Sequence, residues 1–310
     1  MCSTDVTLAA IMAALASEVI IHPMDTIVTR MQSANYTQIY KHTNGSISQS
    51  LYKGLYQGFG PTLIAGTIGS AAFFTTYETT KSAFEDARSA GYLTSVPRPV
   101  GHAVSSAVAE LLTCAIVNPA EVLKQNAQVF QHAGGKSPTI EMLRMLRKRP
   151  SSLWAGYTTL VVSQLPGMCL AFTLYEMFKE ALLERRPASG TGSQLQAIVL
   201  SACAAGACTS LPFVPIDVVK TRMRLAVGEQ ATGSHQVRKA GTGLSRVGAF
   251  AVAGDILRKE GMSGLFRGSV MTCVAGVVGS GLYIGCYEGS KLYFLGVNQK
   301  VSADDALFSV

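Results

Sequence analysis

The chain is 310 residues long, 48% hydrophobic and only 15% charged, with a formal net charge of +7. Soluble domains usually carry about 25% charged residues, so this shortage, with a mean hydropathy of +0.28, argues against a soluble helical protein and for one embedded in lipid. The basic residues are scattered over connectors, as in Arg144, Arg147, Lys148, Arg149, Arg238, Lys239, Arg258 and Lys259. That suits an anionic lipid surface and forms no stripe for nucleic acid.

In chain order, residues 1–5 (MCSTD) hold no cleavable signal or Arg/Ser-rich transit peptide, so targeting information is expected to be internal. The first apolar stretch, 6–22, runs into PMDTIVTRMQ at Pro23; a turn Leu55-Tyr56-Gln57-Gly58 then opens a second stretch, 59–76, ending in Tyr77-Glu78-Thr79-Thr80-Lys81. The same order returns twice. Stretch 100–118 leads to PAEVLKQNAQ at Pro119, then Leu153-Trp154-Ala155-Gly156, stretch 157–175 and Tyr175-Glu176-Met177-Phe178-Lys179. Stretch 195–215 leads to PIDVVKTRMR at Pro215, then Leu265-Phe266-Arg267-Gly268, stretch 269–287 and Tyr287-Glu288-Gly289-Ser290-Lys291. Each stretch is about 17–21 residues, enough at 1.5 Å per residue to cross a hydrocarbon core of about 30 Å.

Pro23, Pro119 and Pro215 stand 96 residues apart in both steps, and each turn glycine precedes its Tyr-Glu glutamate by 20 residues. A period this long exceeds any solenoid unit of about 20–50 residues. It predicts an all-α membrane protein of three tandem repeats, 1–90, 91–188 and 189–310, with six transmembrane helices related by pseudo-threefold symmetry around a central cavity. The even number of spans puts both termini on one side, with the basic loops on the other. The connectors between paired spans hold short amphipathic segments, 140–146 and 253–258, read as interfacial helices; the third holds extra residues near 228–245, read as a flexible loop. The seven cysteines show no CxxC pairing and six lie in apolar stretches, so neither a disulfide framework nor a metal site is expected, and no cofactor is implied.

A proline inside a membrane helix kinks it, and charges at that depth must be paired or wet. Asp25, Glu121 and Asp217, each two residues after its proline, are therefore expected to face a shared axis. Lys124 and Lys220 follow their acids by three residues and can reach the acid of a neighbouring repeat; the first repeat has Val28 there, leaving three acids and two matching lysines. At the other end Glu78, Glu176 and Glu288 precede Lys81, Lys179 and Lys291 by three residues. One such pair would be ordinary helix-surface pairing; three in register predict a second ring. Two rings that cannot both close without cost give alternating access around a central site. Glu18 and Glu110 lie on the faces of Asp25 and Glu121, about 10 and about 16 Å further along their helices, where carboxylates suit a cationic cargo. Bonds to neighbouring helices are the alternative role. No nucleophile–base set or phosphate loop suggests an enzyme.

Over essentially the whole chain this pattern resembles the mitochondrial carrier family. The three proline segments are similar to its matrix-side signature and the three Tyr-Glu-x-x-Lys segments to its cytoplasmic-side one. The resemblance implies an inner-membrane, multi-pass, monomeric carrier of small solutes with termini toward the intermembrane space. It implies that Gln32 and Gln128 brace the matrix-side pairs, with Arg224 a departure at the third position, and that Tyr77, Tyr175 and Tyr287 brace the cytoplasmic side. It further implies cardiolipin beside Gly58, Gly156 and Gly268, where free helix amides suit phosphate, and solute contact points at Ala65-Gly66, Ser163-Gln164 and Ala275-Gly276. Segments such as SAAFFTTYETTK and PAEVLKQNAQV are most similar to the S-adenosylmethionine carriers, which are expected to show an Arg-Glu pair where this chain has Ser163-Gln164. HPMDTIVTRMQS makes the mitoferrins a second neighbour, with His22 and Met168 available for a metal ion as cargo. A carrier-fold scaffold or receptor that no longer transports is the remaining alternative, suggested by Val28 and the neutral contact points.

Overall fold

A computed structural model describes residues 3–92, 98–130, 137–185, 191–232 and 248–286. Among them every regular element is helical; the one β contact is an isolated antiparallel bridge between Lys41 and Ile47. The elements are α1 (Ser3–Gln32), α2 (Tyr36–Ile39), a 3-10 turn (Gln49–Tyr52), α3 (Phe59–Ser89), α4 (Arg98–Val129), α5 (Pro138–Leu146), a second 3-10 turn (Pro150–Trp154), α6 (Tyr157–Arg185), α7 (Thr191–Thr232), α8 (Ala249–Glu260), α9 (Met262–Leu265) and α10 (269–286). Tyr287, Glu288 and Lys291, and most of the loop expected near 228–245, lie outside the described residues.

The helices run on through Pro23 in α1, Pro119 in α4 and Pro215 in α7. Each of these prolines removes one helical N–H. Among the described residues four spans are long and apolar enough to cross a membrane: Val100–Val129, Pro150–Glu184, Gln196–Gln230 and Met262–Cys286. The expected stretches 6–22 and 59–76 fall in α1 and α3, of 30 and 31 residues. α3 is richer in hydroxyls, and it silences them internally. Thr62, Thr67, Ser70, Thr75 and Thr79 each donate to the carbonyl four residues back, at 2.7–3.0 Å, so their polarity is satisfied without water.

The chain groups into two compact units, one drawn from Met1–Asp25, Met168–Pro212 and Ser269–Val310, the other from Thr26–Gly167 and Phe213–Gly268. In the first, α7 and α10 approach closely through glycines. A Cβ added at Gly276 would strike Ser210 and the Gly206 carbonyl, and one at Gly281 would strike Cys203; Gly279 faces Ile21 of α1. In the second, α3 and α4 pack antiparallel, with Phe84 against Gly101 at one end and Gly69 against Val117 at the other.

Among its described residues the second unit also holds three buried apolar clusters, the second of which takes in Val227 of α7. Tyr36, Tyr40 and Leu51 pack in the first; Val122, Leu123, Met142, Leu146, Ala155 and Val227 in the second. Val214, Val218, Val219, Met223, Val252, Ile256 and Leu265 make the third. The amphipathic segments expected at 140–146 and 253–258 are α5 and part of α8. Met142, Leu146 and Ile256 are 1% exposed, and burying each is worth about 1.5–3 kcal/mol. These clusters tie each connector to the C-terminal end of its own long helix, where the proline segments lie.

Candidate functional site

In the second unit the ends of α4 and α7 carry the motif charges Glu121, Lys124, Asp217, Lys220 and Arg224. Lys124 Nζ lies 3.8 Å from Glu121 and Lys220 Nζ 2.6 Å from Asp217, so each lysine is within reach of its own repeat's acid. Glu121 also meets Arg224 Nη1 at 3.5 Å, a contact between repeats. Arg224 is 1% exposed and donates through Nη2 to Asn118 Oδ1 at 2.8 Å. Val28, where the first repeat lacks a lysine, is half-buried. Asp25 is the last residue of the first unit's opening segment and half-buried.

Around these charges the repeats are tied by a cyclic set of bonds. The residue seven positions after each motif proline donates to the backbone carbonyl nine positions after the proline of the next repeat. Arg30 Nε donates to the Gln128 carbonyl at 2.8 Å, Asn126 Nδ2 to the Arg224 carbonyl at 2.9 Å, and Arg222 Nε to the Gln32 carbonyl at 3.2 Å. The turn glycines repeat the cycle. Gly58, at φ +84°, sits where a Cβ would lie 2.8 Å from Lys124 Cα; Gly156 faces Arg224 and Lys220, and Gly268 faces Met31 and Gln32. A left-handed backbone favours glycine at all three, and at Gly58 the helix pressed against it leaves no room for a Cβ.

Gln32 and Gln128, each at most 2% exposed, bond across repeats as well: Thr221 Oγ1 donates to Gln32 Oε1 at 2.9 Å, and Gln128 Nε2 donates to Thr26 Oγ1 at 3.0 Å. One buried polar atom on each of Gln32, Gln128 and Arg224 has no hydrogen-bond partner among the described residues. Such atoms cost about 1–3 kcal/mol apiece, so this layer is held together at less than full satisfaction.

At the Tyr-Glu segments the described pairs are local and open. Lys81 lies 4.0 Å from Glu78 and Lys179 3.3 Å from Glu176, and the glutamate side chains are 68% and 56% exposed. Each lysine sits over its own tyrosine ring, Tyr77 at 5.8 Å and Tyr175 at 5.5 Å. The Tyr77 hydroxyl bonds His102 Nδ1 at 3.2 Å.

Of the proposed solute contacts, Glu18 is half-buried and 3.4 Å from Nδ1 of the fully buried His22. Glu110 is buried and accepts from the Cys114 thiol at 3.4 Å. Ala65 is buried and Gly66 exposed; Ser163 is buried and donates to its own helix at Leu160, beside an exposed Gln164. Ala275 is half-buried, and Gly276 is the glycine pressed against α7. Met168 is exposed. No group of three or more metal-ligating side chains occurs among the described residues.

Several residues that build this end were in the quoted motifs but went unassigned: Arg30, Asn126 and Arg222. Their signal was the same 96-residue period. Arg222 also grips Glu260 through both carboxylate oxygens, and Arg267 Nη2 meets that carboxylate at 2.7 Å. The hydrogen bonds from Arg222, aided by its charge and that of Arg267, hold the Glu260 carboxyl below the usual carboxylate range. Glu260 carried no sequence signal, because its partners are 38 and 7 residues away with no recurring spacing.

The sequence matches the family described as "Mitochondrial carrier protein" in three segments, residues 3–88, 95–186 and 192–298. It is 30% identical over 281 residues to the "Mitochondrial S-adenosylmethionine carrier protein" of Danio rerio, covering 89% of this chain and 92% of that protein. The mouse protein of the same description (Mus musculus) is 28% identical over 288 residues, covering 93% and 94%. The "S-adenosylmethionine mitochondrial carrier protein homolog" of Drosophila melanogaster is 28% identical over 283 residues, covering 89% and 88%.

Proposed function

The chain belongs to the mitochondrial carrier family, multi-pass proteins of the mitochondrial inner membrane, and from that premise we propose that it is a solute carrier working by alternating access. Six helices in three repeats, 1–90, 91–188 and 189–310, surround a central cavity. Asp25, Glu121 and Asp217 with Lys124 and Lys220, braced by Gln32 and Gln128, form the matrix-side gate. Glu78, Glu176 and Glu288 with Lys81, Lys179 and Lys291, beside Tyr77, Tyr175 and Tyr287, form the cytoplasmic-side gate.

The observation that carries this reading is the closed cycle from Arg30, Asn126 and Arg222 to the next repeat's carbonyl, in the same unit as Glu121 and Asp217. A cycle of three equivalent bonds is what pseudo-threefold repeats produce when drawn together at one end. The buried Lys124 on a half-buried Glu121, against the open Glu78–Lys81 and Glu176–Lys179 pairs, supports a state closed on the matrix side and open on the other. In it, substrate binding supplies the free energy that exchanges one gate for the other.

The cargo is a small cationic or zwitterionic solute, with S-adenosylmethionine the foremost candidate. The relatives' descriptions support this, as do two carboxylates, Glu18 and Glu110, within apolar spans. Cardiolipin phosphate is expected at the helix starts after Gly58, Gly156 and Gly268, although the Gly58 N–H itself already donates to Thr139. The carrier functions as a monomer.

Uptake by liposomes holding the pure protein, screened with labelled S-adenosylmethionine, nucleotides, amino acids and metal ions, tests the proposal. Saturable uptake of S-adenosylmethionine is expected. Saturable uptake of a metal ion alone would replace that cargo, and none for any solute by folded protein would favour a scaffold.

A further inference from the structure

Two departures from the threefold pattern fall in the same layer. In the first repeat the gate position that carries Lys124 and Lys220 elsewhere is Val28. In the third, the position that carries Gln32 and Gln128 elsewhere is Arg224. One departure removes a cation and the other adds one, so the gate and brace positions together carry three acids (Asp25, Glu121, Asp217) and three cations (Lys124, Lys220, Arg224). Arg30, which bonds backbone carbonyls, and Arg222, which is paired with Glu260, stand apart from these.

The geometry gives this exchange a physical route. Gln32 and Gln128 bond the neutral hydroxyls of Thr221 and Thr26. Arg224, alone of the three, bonds an acid, with Nη1 3.5 Å from Glu121 while Nη2 is anchored on Asn118 Oδ1 at 2.8 Å. Its side chain, 2% exposed, is the most buried of the cations in these pairs, and a buried charge needs a counter-charge. A guanidinium is longer than a glutamine side chain and stays charged, so it spans from α7 to α4 where glutamine at that position bonds only a hydroxyl. Lys220, meanwhile, lies on Asp217 at 2.6 Å, the acid that a lysine at position 28 would be expected to serve. Lys220 thus holds its own repeat's acid, and Arg224 joins Lys124 at the acid of the second repeat.

We infer that Arg224 is the third cation of the matrix-side gate, replacing the lysine missing at Val28, and so sets how firmly that gate closes. The inference rests on the gate reading proposed above. Arg224 acts through charge balance, beyond its bond to Asn118, and a lysine placed at 28 on a different helix can restore the balance but not that bond.

The test uses the full-length protein with V28K, R224Q and the V28K/R224Q pair, with K220Q to test the gate itself. Glutamine at 224 is what the other repeats carry at this place, and the pair keeps the cation count of the wild type, so it remains measurable even if R224Q alone folds poorly. Thermal unfolding in detergent and uptake of labelled S-adenosylmethionine into liposomes are read for each. R224Q is expected to lower the melting temperature, V28K/R224Q to regain most of that loss, and V28K alone to give no rise, since it adds a fourth cation at gate and brace positions that hold three acids. Failure of the pair to recover, or a clear stabilisation by V28K alone, would overturn the inference. If K220Q changes neither melting nor uptake, the gate reading has failed; if K220Q impairs them while the pair does not recover, only the role of Arg224 has.

Discussion

At the scale of single residues, Glu260 shows how an unassigned side chain can hold a helix junction. Its carboxylate joins Arg222 of α7 and Arg267 just beyond α9. Glu260→Gln is expected to cost about 2 kcal/mol, because Arg222 is left buried without its counter-charge. The pH dependence follows from the direction of the shift. A carboxyl whose pKa lies below its ordinary value of 4.5 binds fewer protons folded than unfolded, so its stabilisation is complete above that value and fades as pH falls through the depressed one. Melting temperatures of wild type and Glu260→Gln, compared from neutral to acid pH, should converge at the acid end; a constant gap would refute the assignment. Glu18 and Glu110 are the residues on which the proposed charge of the cargo rests. Glu18→Gln and Glu110→Gln are each expected to reduce uptake of a cationic solute about tenfold or more, equivalent to about 1.4 kcal/mol of lost binding. Unchanged kinetics in both would leave these acids bonded to His22 and Cys114 with no part in the site.

At the scale of elements, the turn before each second span is an interface between repeats. Gly58 begins α3 with a left-handed backbone, and the space for its Cβ is filled by the α4 backbone at Lys124. Gly58→Ala therefore meets two penalties, a strained φ of about 1–2 kcal/mol and displacement of α4. It should lower the melting temperature more than Gly60→Ala, a neighbour with open space where its Cβ would go. Equal effects in a thermal-shift comparison would show that the contact with α4 carries no weight. The apolar stretches, the amphipathic connectors and the turn glycines were legible because each is a local pattern: a length, a 3.6-residue period, a fixed spacing. The within-repeat partners of Lys124 and Lys220 were less legible, since lysine three residues after an acid can turn to its own acid or across to another.

At the scale of the whole molecule, the three-repeat carrier architecture followed from sequence alone, because duplicated segments keep both their spacing and their charges. The same 96-residue period contained Arg30, Asn126 and Arg222, yet nothing in one dimension says that a side chain in one repeat bonds a carbonyl in the next. The chain by itself determined the threefold recurrence, where the apolar stretches lie and which charges follow them in sequence, since hydrophobic length and spacing are properties of consecutive residues. Only the tertiary structure decided that Arg224 meets Glu121, that Gly276 is spent on packing against α7, and that Glu260 is held by two arginines. The reason is physical: the strength of a charge or the cost of a Cβ depends on what lies within a few ångströms in space, and sequence separation does not encode that distance.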